Sequence, residues 1–227
     1  DLAALKQPAI VPITYAGFKH FVVYKAYKDG RVYLADPALG NISFDENLTF
    51  IDQLKKRRNV SDLGNKIRFS QTYLTELIQE SVRSCPSAYH SQSTRVVILY
   101  GNSHKKFWDI VREMQRKIVP AHIFEGIELK MDQCVKAYGT VLFYEDQAVI
   151  QQLQKKVPFS ASDFPVWSEQ TSGMAQFAVW TALADLGIGA SLQHYNPVID
   201  QAVNQHFDIH SDWLMRAQLV FGSIEGS

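Results

Sequence analysis

The sequence is poor in cysteine, has no excess charge of either sign and contains no long hydrophobic run. Its only cysteines, Cys85 and Cys134, are too few for a disulfide framework. The 23 basic and 23 acidic side chains cancel, which argues against nucleic-acid binding, because that function needs a basic excess or a basic face. No apolar run approaches the roughly 18 residues that span a bilayer, and the N-terminus lacks a signal-peptide pattern. We expect a protein of the reducing cytoplasm with no membrane or nucleic-acid partner.

The spacing of apolar residues changes near residues 44–47. Before this point, short runs rich in Val and Tyr flank turn signals, and Asp29-Gly30 is a typical hairpin turn between strands 21–27 and 31–35. After it, apolar residues recur with helical spacing. We predict a β segment over residues 1–44 and a second domain over residues 45–227.

The second domain alternates helical patterns with a few apolar strands, which indicates an α+β fold. Ser70 and Asp146 are predicted to cap helices. The longest helical pattern, over residues 167–186, is apolar on several faces and therefore needs more than one neighbour, so a partner subunit is expected. Strands are predicted over residues 96–100, 140–144, 188–192 and 214–221.

A dense run of polar side chains lies between a helical pattern and an apolar strand. Residues 85–95 read CPSAYHSQSTR, and the strand VVIL follows at 96–99. A polar loop that enters a buried strand can aim several hydrogen-bond donors at one flat heterocycle. The alternative interpretation is a turn whose Ser and Pro residues only cap the neighbouring elements.

Residues from about 47 to 227 resemble the flavin-dependent nitroreductase family, in particular its fatty-acid-repression-mutant-like branch. The resemblance implies an FMN-binding fold with a central antiparallel-type sheet wrapped by helices. It also implies a homodimer with FMN at the subunit interface, reduced by NADH or NADPH. The similar stretches are LKKRRNV (54–60), PSAYHSQSTRVVIL (86–99), AYGTVLFYEDQAV (137–149), FPVWSEQTSGMAQFAVWTALADLGIGASLQHYNPVID (164–200) and RAQLVFGSIEG (216–226).

By this resemblance, Arg57, Arg58 and Asn59 would meet the phosphate, the ribityl chain and the pyrimidine edge of FMN. A phosphate carries about two negative charges, and the planar fork of Arg suits its oxygens. The alternative is a solvated helix end whose basic residues stabilise the helix dipole.

Two further groups complete the implied flavin site. The flavin pyrimidine needs donors at N1 and O2, where negative charge accumulates on reduction, and His90 stands where close relatives usually have Asn; a neutral imidazole still donates one hydrogen bond. The segment after the buried helix would lie over the flavin near N5, although such residues are often only structural. The residues implied are Ser87, His90, Ser91 and Gln92 for the pyrimidine edge, and Gln193, His194 and Tyr195 for the N5 side. Tyr89, Phe164 and Trp167 are candidates for pocket walls or for plain core.

The implied function is that of an FMN-dependent NAD(P)H oxidoreductase. Hydride would pass through flavin N5 to a nitroaromatic or quinone-like small-molecule acceptor in ping-pong order, and the cofactor would supply most of the chemistry. No side chain needs to act as an essential acid or base, so we assign no catalytic residue and no metal site. A non-catalytic flavin-binding or regulatory protein is the alternative.

Residues 8–41 carry a second resemblance, to the C-terminal half of a bacteriocin-processing cysteine peptidase domain. In that family a His like His20 and an Asp like Asp36 complete a Cys–His–Asp arrangement, whose nucleophile would precede this region. Without a thiolate His20 has nothing to activate, so a remnant peptidase is the weakest alternative and residues 1–44 are expected to be inactive. By the nitroreductase resemblance the second domain is C-terminally short by one strand, which would leave an unpaired sheet edge.

Overall fold

The computed structural model describes residues 5, 7–15, 18–37, 40–45 and 49–226. These residues form nine strands and seven α-helices. The strands are β1 (Ala9–Tyr15), β2 (Phe18–Lys28), β3 (Arg31–Asp36), β4 (Gly40–Asp45), β5 (Leu63–Gly64), β6 (Thr94–Tyr100), β7 (Gly139–Asp146), β8 (Gly189–Gln193) and β9 (Trp213–Ile224). The helices are α1 (Phe50–Lys56), α2 (Gln71–Arg83), α3 (Gly101–Ile118), α4 (Ala121–Lys136), α5 (Gln147–Lys156), α6 (Phe164–Asp185) and α7 (Asp200–Phe207).

The N-terminal residues form an antiparallel four-stranded sheet in the order β1-β2-β3-β4. The predicted hairpin joins β2 to β3, and its two turn residues, Asp29 and Gly30, both have positive φ (53° and 74°), as a type I′ turn requires. Pro12 lies in β1, at the edge of this sheet, where a residue without an N–H is tolerated. The hairpin is therefore the centre of a larger sheet.

This N-terminal sheet carries apolar side chains on both faces. Its inner face shares one buried cluster with residues of the second domain such as Phe69. On its outer face, Ile10 is 74% and Phe21 is 66% exposed. Asp36 is buried at the end of β3, and burial together with this nearby carboxylate raises the pKa of Tyr73 on α2 to about 12. The sheet thus packs against the α2 side of the molecule. The side chain of His20 lies outside the described part of the chain.

A second antiparallel sheet forms the centre of the molecule. Its strand order is β6-β7-β9-β8, and β5 pairs with the end of β9 beyond β8. β7 is buried along nearly its whole length, and so is the middle of β9. Burial on both faces explains why these two strands are continuous hydrophobic runs in the sequence.

Helices cover both faces of the central sheet. Alternate β7 residues point to opposite sides, because side chains alternate along a strand. Val141 and Phe143 join the cluster of α2 and α6, whereas Leu142 and Tyr144 join the cluster of α3, α4 and α7. The result is the predicted α+β arrangement of a sheet wrapped by helices.

Most predicted elements of the second domain are present. Ser70 accepts a hydrogen bond from the Tyr73 amide (3.1 Å) as the cap of α2, and Asp146 caps α5 through the amides of Ala148 (3.1 Å) and Val149 (3.4 Å). The sequence did not predict α4, α7 or β5, and α6 begins three residues earlier than expected. Among the described residues no helix is both long and apolar enough to cross a membrane.

Asp200, in the first turn of α7, is a partly buried carboxyl group in an unfavourable environment. Burial raises its pKa from 3.8 to about 6, although Arg216 acts in the opposite direction. Its Oδ1 atom is buried without a hydrogen-bond partner among the described residues. Because the folded-state pKa is raised, the neutral form is the stabilising one. This stabilisation is complete below pH 3.8 and is lost as the pH rises through about 6.

We therefore expect Asp200→Asn to stabilise the protein more above pH 6 than below it. Since the group is only half-buried, the gain should be about 1 kcal/mol, or about 2–4 °C in Tm. Thermal unfolding at about pH 5 and about pH 7.5 measures the difference. The control is Asp208→Asn, an exposed residue at the other end of α7. Equal shifts of Tm at both pH values for Asp200→Asn would contradict the interpretation.

Candidate functional site

The polar loop before β6 has a strained backbone. Tyr89, His90 and Gln92 all have left-handed φ values, of 54°, 51° and 47°. A left-handed conformation costs a residue other than glycine about 1–2 kcal/mol. Such residues persist where the surrounding structure over-determines them, and they cluster at functional sites.

Hydrogen bonds within the loop hold this conformation. The amide of His90 donates to the carbonyl of Ser87 (3.0 Å), and the amide of Gln92 donates to the Ser87 hydroxyl oxygen (3.0 Å). The side chains of His90 and Gln92 point to solvent. The left-handed backbone also gives a physical reason for the residue type at position 90, because Asn and His are both enriched in this region of φ,ψ space.

Aromatic rings fix the loop to the beginning of α6. The ring of Tyr89 stacks on Trp167 with 5.8 Å between centroids and contacts Phe164 at 5.3 Å. Phe164 and Trp167 pack edge to face at 5.2 Å. The three predicted pocket-wall residues therefore form one cluster, in which Phe164 is buried and Tyr89 is exposed.

A cavity of about 520 Å³ lies beside the loop. Two of its residues, Arg83 and Arg95, are cationic. Arg95 donates to the carbonyl of Gln92 (2.7 Å) and pairs with Asp146 (3.0 Å). It therefore links the loop to the end of β7. The other lining residues are mainly small and polar: Val82, Cys85, Ser87, Ser91, Gln92, Thr94 and Thr171. The structure thus brings three of the predicted pyrimidine-edge residues to one cavity.

Sequence reasoning missed a buried carboxylate behind this loop. Glu145, near the end of β7, is fully buried. It accepts hydrogen bonds from the hydroxyls of Ser93 (2.6 Å), Thr94 (2.5 Å) and Ser168 (2.8 Å). Burial raises its pKa above the usual value, while the three hydroxyl donors lower it. An acidic residue inside an otherwise apolar strand was the signal that could have identified it.

A second polar group lies at the other edge of the central sheet. Asn59 forms a parallel bridge with Ala190 of β8, and its Oδ1 atom accepts from the Ser191 hydroxyl (2.9 Å). The same hydroxyl accepts from Gln193 Nε2 (2.8 Å). Ser191 and Gln193 are buried and line a cavity of about 360 Å³ that α4 covers with Lys130 among other residues. The structure thus links two predicted residues, Asn59 and Gln193, through a third that was not predicted.

Arg57 and Arg58 have different environments at the end of α1. The guanidinium carbon of Arg57 lies 4.5 Å from the ring centroid of Trp180 and 5.9 Å from that of Phe177, both on α6. Among the described residues, its Nε atom and the Trp180 Nε1 atom are buried donors without partners. Arg58 is exposed. Arg57 is therefore held in place by stacking while part of its donor capacity is unused.

The segment after β8 places its two predicted residues differently. His194 is exposed. Tyr195 packs edge to face against Trp108 at 5.9 Å, and burial raises its pKa to about 12. Its amide donates to Oε1 of the fully buried Gln218 (2.8 Å), whose Nε2 donates to Asn196 Oδ1 (2.9 Å). Gln218, which sequence reasoning missed, therefore fixes the turn that carries His194 and Tyr195.

The polar loop before β6 and the polar group of Asn59, Ser191 and Gln193 lie far apart within one chain. The loop precedes β6 at one edge of the sheet, whereas Asn59 and Gln193 belong to the β8 edge, three strand spacings or about 14 Å away. On α6, Trp167 contacts the loop and Trp180 contacts Arg57, and these residues are about 20 Å apart along the helix axis. One chain therefore does not bring all the predicted residues to one place.

The cysteines are not in a nucleophilic environment. Burial raises the pKa of Cys85, and it raises that of Cys134 to about 12. The buried His104 approaches the carbonyl oxygen of Cys134 (3.0 Å) and the Thr140 hydroxyl (2.9 Å), not a thiol. The described residues contain no cluster of His, Cys, Asp or Glu that could hold a metal ion.

Comparisons with known proteins agree with this fold. Residues 54–223 match the nitroreductase family. The nitroreductase FRM2 of Saccharomyces cerevisiae is 38% identical over 141 residues, which are 62% of this chain and 69% of the yeast protein. The nitroreductase CinD of Lactococcus lactis, solved with chloramphenicol, is 43% identical and superposes with a TM-score of 0.73, covering 79% of this chain and 91% of that chain. CinD has also been solved with 4-nitrophenol and with nicotinic acid.

A Desulfovibrio desulfuricans protein in complex with FMN has the same fold, with a TM-score of 0.57 at 16% identity over 79% of this chain and 89% of that chain. The chain described here belongs to the nitroreductase family, whose members are oxidoreductases. The family match begins at residue 54, and it gives no support to the peptidase resemblance of residues 8–41.

Proposed function

We propose that this protein is an FMN-dependent NAD(P)H oxidoreductase whose flavin site is shared between two copies of the chain. The observation that carries the proposal is the separation of the two polar groups on opposite edges of the central sheet. Both groups are expected to contact one flavin, and about 14 Å of sheet separates them. In a homodimer, the loop of one subunit can face the Arg57–Asn59 segment of the other.

The residues of this chain fit an FMN molecule. Arg57 and Trp180 present neighbouring buried donors that have no partner in the described part of the chain, and Arg58 adds an exposed cation for the phosphate. Asn59 and Gln193 offer amide groups that are oriented through the Ser191 hydroxyl. Backbone and hydroxyl donors of the strained loop suit N1 and O2 of a flavin, where negative charge develops on reduction.

The protein would act mainly by binding, orientation and exclusion of water. Arg57 is fixed by its stacking on Trp180, so it can hold a phosphate with little loss of side-chain entropy. Gln218 holds the turn of His194 in one position through the Tyr195 amide. When bound, FMN would supply the chemistry, taking a hydride from NADH or NADPH at N5 and giving it to an acceptor in ping-pong order.

The acceptor class we propose is flat and electrophilic, either nitroaromatic or quinone-like. CinD, at 44% identity, has been solved with 4-nitrophenol, and in another structure with nicotinic acid, a relative of the nicotinamide ring. The cavity of about 360 Å³ beside Gln193 and Ser191 has space for one such ring. A single pocket used in turn by both substrates agrees with ping-pong order.

Exposed apolar side chains support a homodimer. Met174 and Phe177 on α6 remain 40% and 44% exposed, and Phe50 on α1 is 67% exposed. A groove of about 550 Å³ between α1, α2 and α6 is lined by Phe50, Phe177 and other apolar residues, with polar side chains such as Glu80 and Asp185 among them. Contiguous apolar surface of this kind is typical of a subunit interface.

A non-catalytic flavin-binding or regulatory protein is the second candidate. The visible spectrum of the purified protein separates the possibilities. Flavin absorbance that NADH bleaches supports the oxidoreductase, whereas flavin absorbance that NADH leaves unchanged favours the second candidate. Protein without flavin, even after incubation with FMN, would contradict both.

The Arg57→Ala, Arg58→Ala double variant should bind FMN about 100-fold or more weakly while it keeps its fold. Each charge-assisted hydrogen bond to the phosphate is worth about 1.5–3 kcal/mol. Titration of the flavin-free protein with FMN measures the affinity. The matched control is Lys55→Ala, Lys56→Ala, which removes two positive charges from the same helix end. Equal FMN affinities of the two double variants would show that Arg57 and Arg58 only form a solvated helix end and do not bind the phosphate.

A shared site predicts complementation between two defective subunits. The Arg57→Ala, Arg58→Ala chain and a Ser91→Ala, Gln92→Ala chain should each form dimers that bind little FMN. A heterodimer of the two, isolated through different affinity tags, should regain one intact site and hold about half the FMN of the wild type. Light scattering of the wild type should give a dimer. A monomer that binds FMN tightly, or a heterodimer without FMN, would rule out the shared site.

The N-terminal segment should have no peptidase activity, and the oxidoreductase should not need it. Hydrolysis requires a thiolate beside His20, and burial raises the pKa of both thiols, which lie in the second domain. Removal of residues 1–44 exposes part of the shared buried cluster and should lower stability, but NADH oxidation per bound FMN should be nearly unchanged. Leader-peptide cleavage that disappears in His20→Ala, or a 45–227 fragment that binds FMN without turnover, would overturn this view.

A further inference from the structure

Glu145 is a buried carboxylate whose three partners are all neutral hydroxyls. The donors are Ser93 and Thr94, which directly follow the strained loop, and Ser168 on α6. The distances to Ser93 (2.6 Å) and Thr94 (2.5 Å) are those of charge-assisted hydrogen bonds, and the distance to Ser168 (2.8 Å) is that of an ordinary hydroxyl hydrogen bond. Burying a carboxylate is unfavourable unless its lone pairs accept hydrogen bonds. The three hydroxyl donors are therefore needed to stabilise Glu145 in the core.

Cationic side chains of the neighbouring strands β6 and β9 are paired with other carboxylates. Arg95 of β6 pairs with Asp146 of β7, and Arg216 of β9 donates to Glu169 of α6 at 3.0 Å. Glu169 acts on Glu145 as a like charge. The carboxylate therefore depends on the hydroxyl groups of Ser93, Thr94 and Ser168 for its stability, and it joins the end of the loop to α6.

The network also lies at the point where the strained loop ends. Tyr89, His90 and Gln92 adopt left-handed conformations immediately before Ser93. Trp167, on which Tyr89 stacks, is adjacent in sequence to Ser168. Two attachments to the same turn of α6, one aromatic and one through Glu145, therefore hold the loop.

We propose that Glu145 is a positioning residue for the flavin-binding loop: its carboxylate clamps Ser93 and Thr94 to Ser168 and so maintains the left-handed conformations of residues 89, 90 and 92. This inference rests on the proposed function for its effect on flavin but not for its effect on the loop. When the carboxyl group of Glu145 is ionised, the clamp also places a negative charge behind the loop that meets the flavin pyrimidine, and this charge makes reduction of bound flavin less favourable.

The test compares Glu145→Ala with Glu145→Gln. Glu145→Ala removes the clamp, so amide hydrogen exchange of residues 88–93 in the flavin-free protein should become faster, and FMN should bind at least about tenfold more weakly. Glu145→Gln keeps the shape and can still accept from hydroxyls. It should restore loop protection and most of the FMN affinity, while the reduction potential of bound FMN shifts to a more positive value.

A matched pair of serine variants extends the test without changing the loop sequence. Ser168→Ala removes one donor to Glu145, whereas Ser172→Ala removes a buried hydroxyl one turn later that accepts from Gln176 instead. Ser168→Ala should speed exchange in residues 88–93, and Ser172→Ala should not. These milder variants keep the inference testable if Glu145→Ala does not fold.

Three results would overturn the inference. They are unchanged loop exchange in Glu145→Ala, faster exchange spread equally over the whole protein, and equal effects of Ser168→Ala and Ser172→Ala. If the wild type binds no FMN, the proposed function fails, but the exchange measurements on the flavin-free protein still decide whether Glu145 holds the loop. If FMN binds and Glu145→Gln leaves its potential unchanged, the electrostatic part of the inference is wrong.

Discussion

The burial of one long apolar helix organises the second domain. α6 has 22 residues, about 33 Å of helix, and its buried side chains pack against the central sheet and α2. Three parts of the candidate site are attached to it: Tyr89 through Trp167, the Glu145 network through Ser168, and Arg57 through Trp180. A change in the packing of α6 would therefore move both halves of the site together.

The same helix separates the two groups of the proposed flavin site. Because the loop lies at its beginning and Arg57 lies about 20 Å further along, the proposed site takes one group from each of two chains. The apolar side chains that α6 leaves exposed, Met174 and Phe177, are close to the Arg57 end. In the proposed homodimer, association that covers these side chains would also bring a second loop near the arginines, so dimer formation and completion of the site would be one event.

Local patterns were sufficient for most of the elements. Ser70 and Asp146 were recognised as caps because a capping side chain bonds to amides two or three residues away. The Asp29-Gly30 turn was recognised because few residue pairs adopt positive φ without strain. α7 was missed because eight residues give a weak periodic signal, and α4 because Gly126 and polar residues interrupt its apolar stripe.

The sequence by itself determined the α+β class and the order of the main strands and helices, and through family resemblance it predicted which residues belong to the candidate flavin site. Only the tertiary structure decided how these residues are divided between two sheet edges. It also showed that residues 89, 90 and 92 are left-handed and that Glu145 is buried beneath them. The reason is that the contacts responsible join residues far apart in the chain, such as Ser93 and Glu145 or Asn59 and Ser191, and no local pattern reports such contacts.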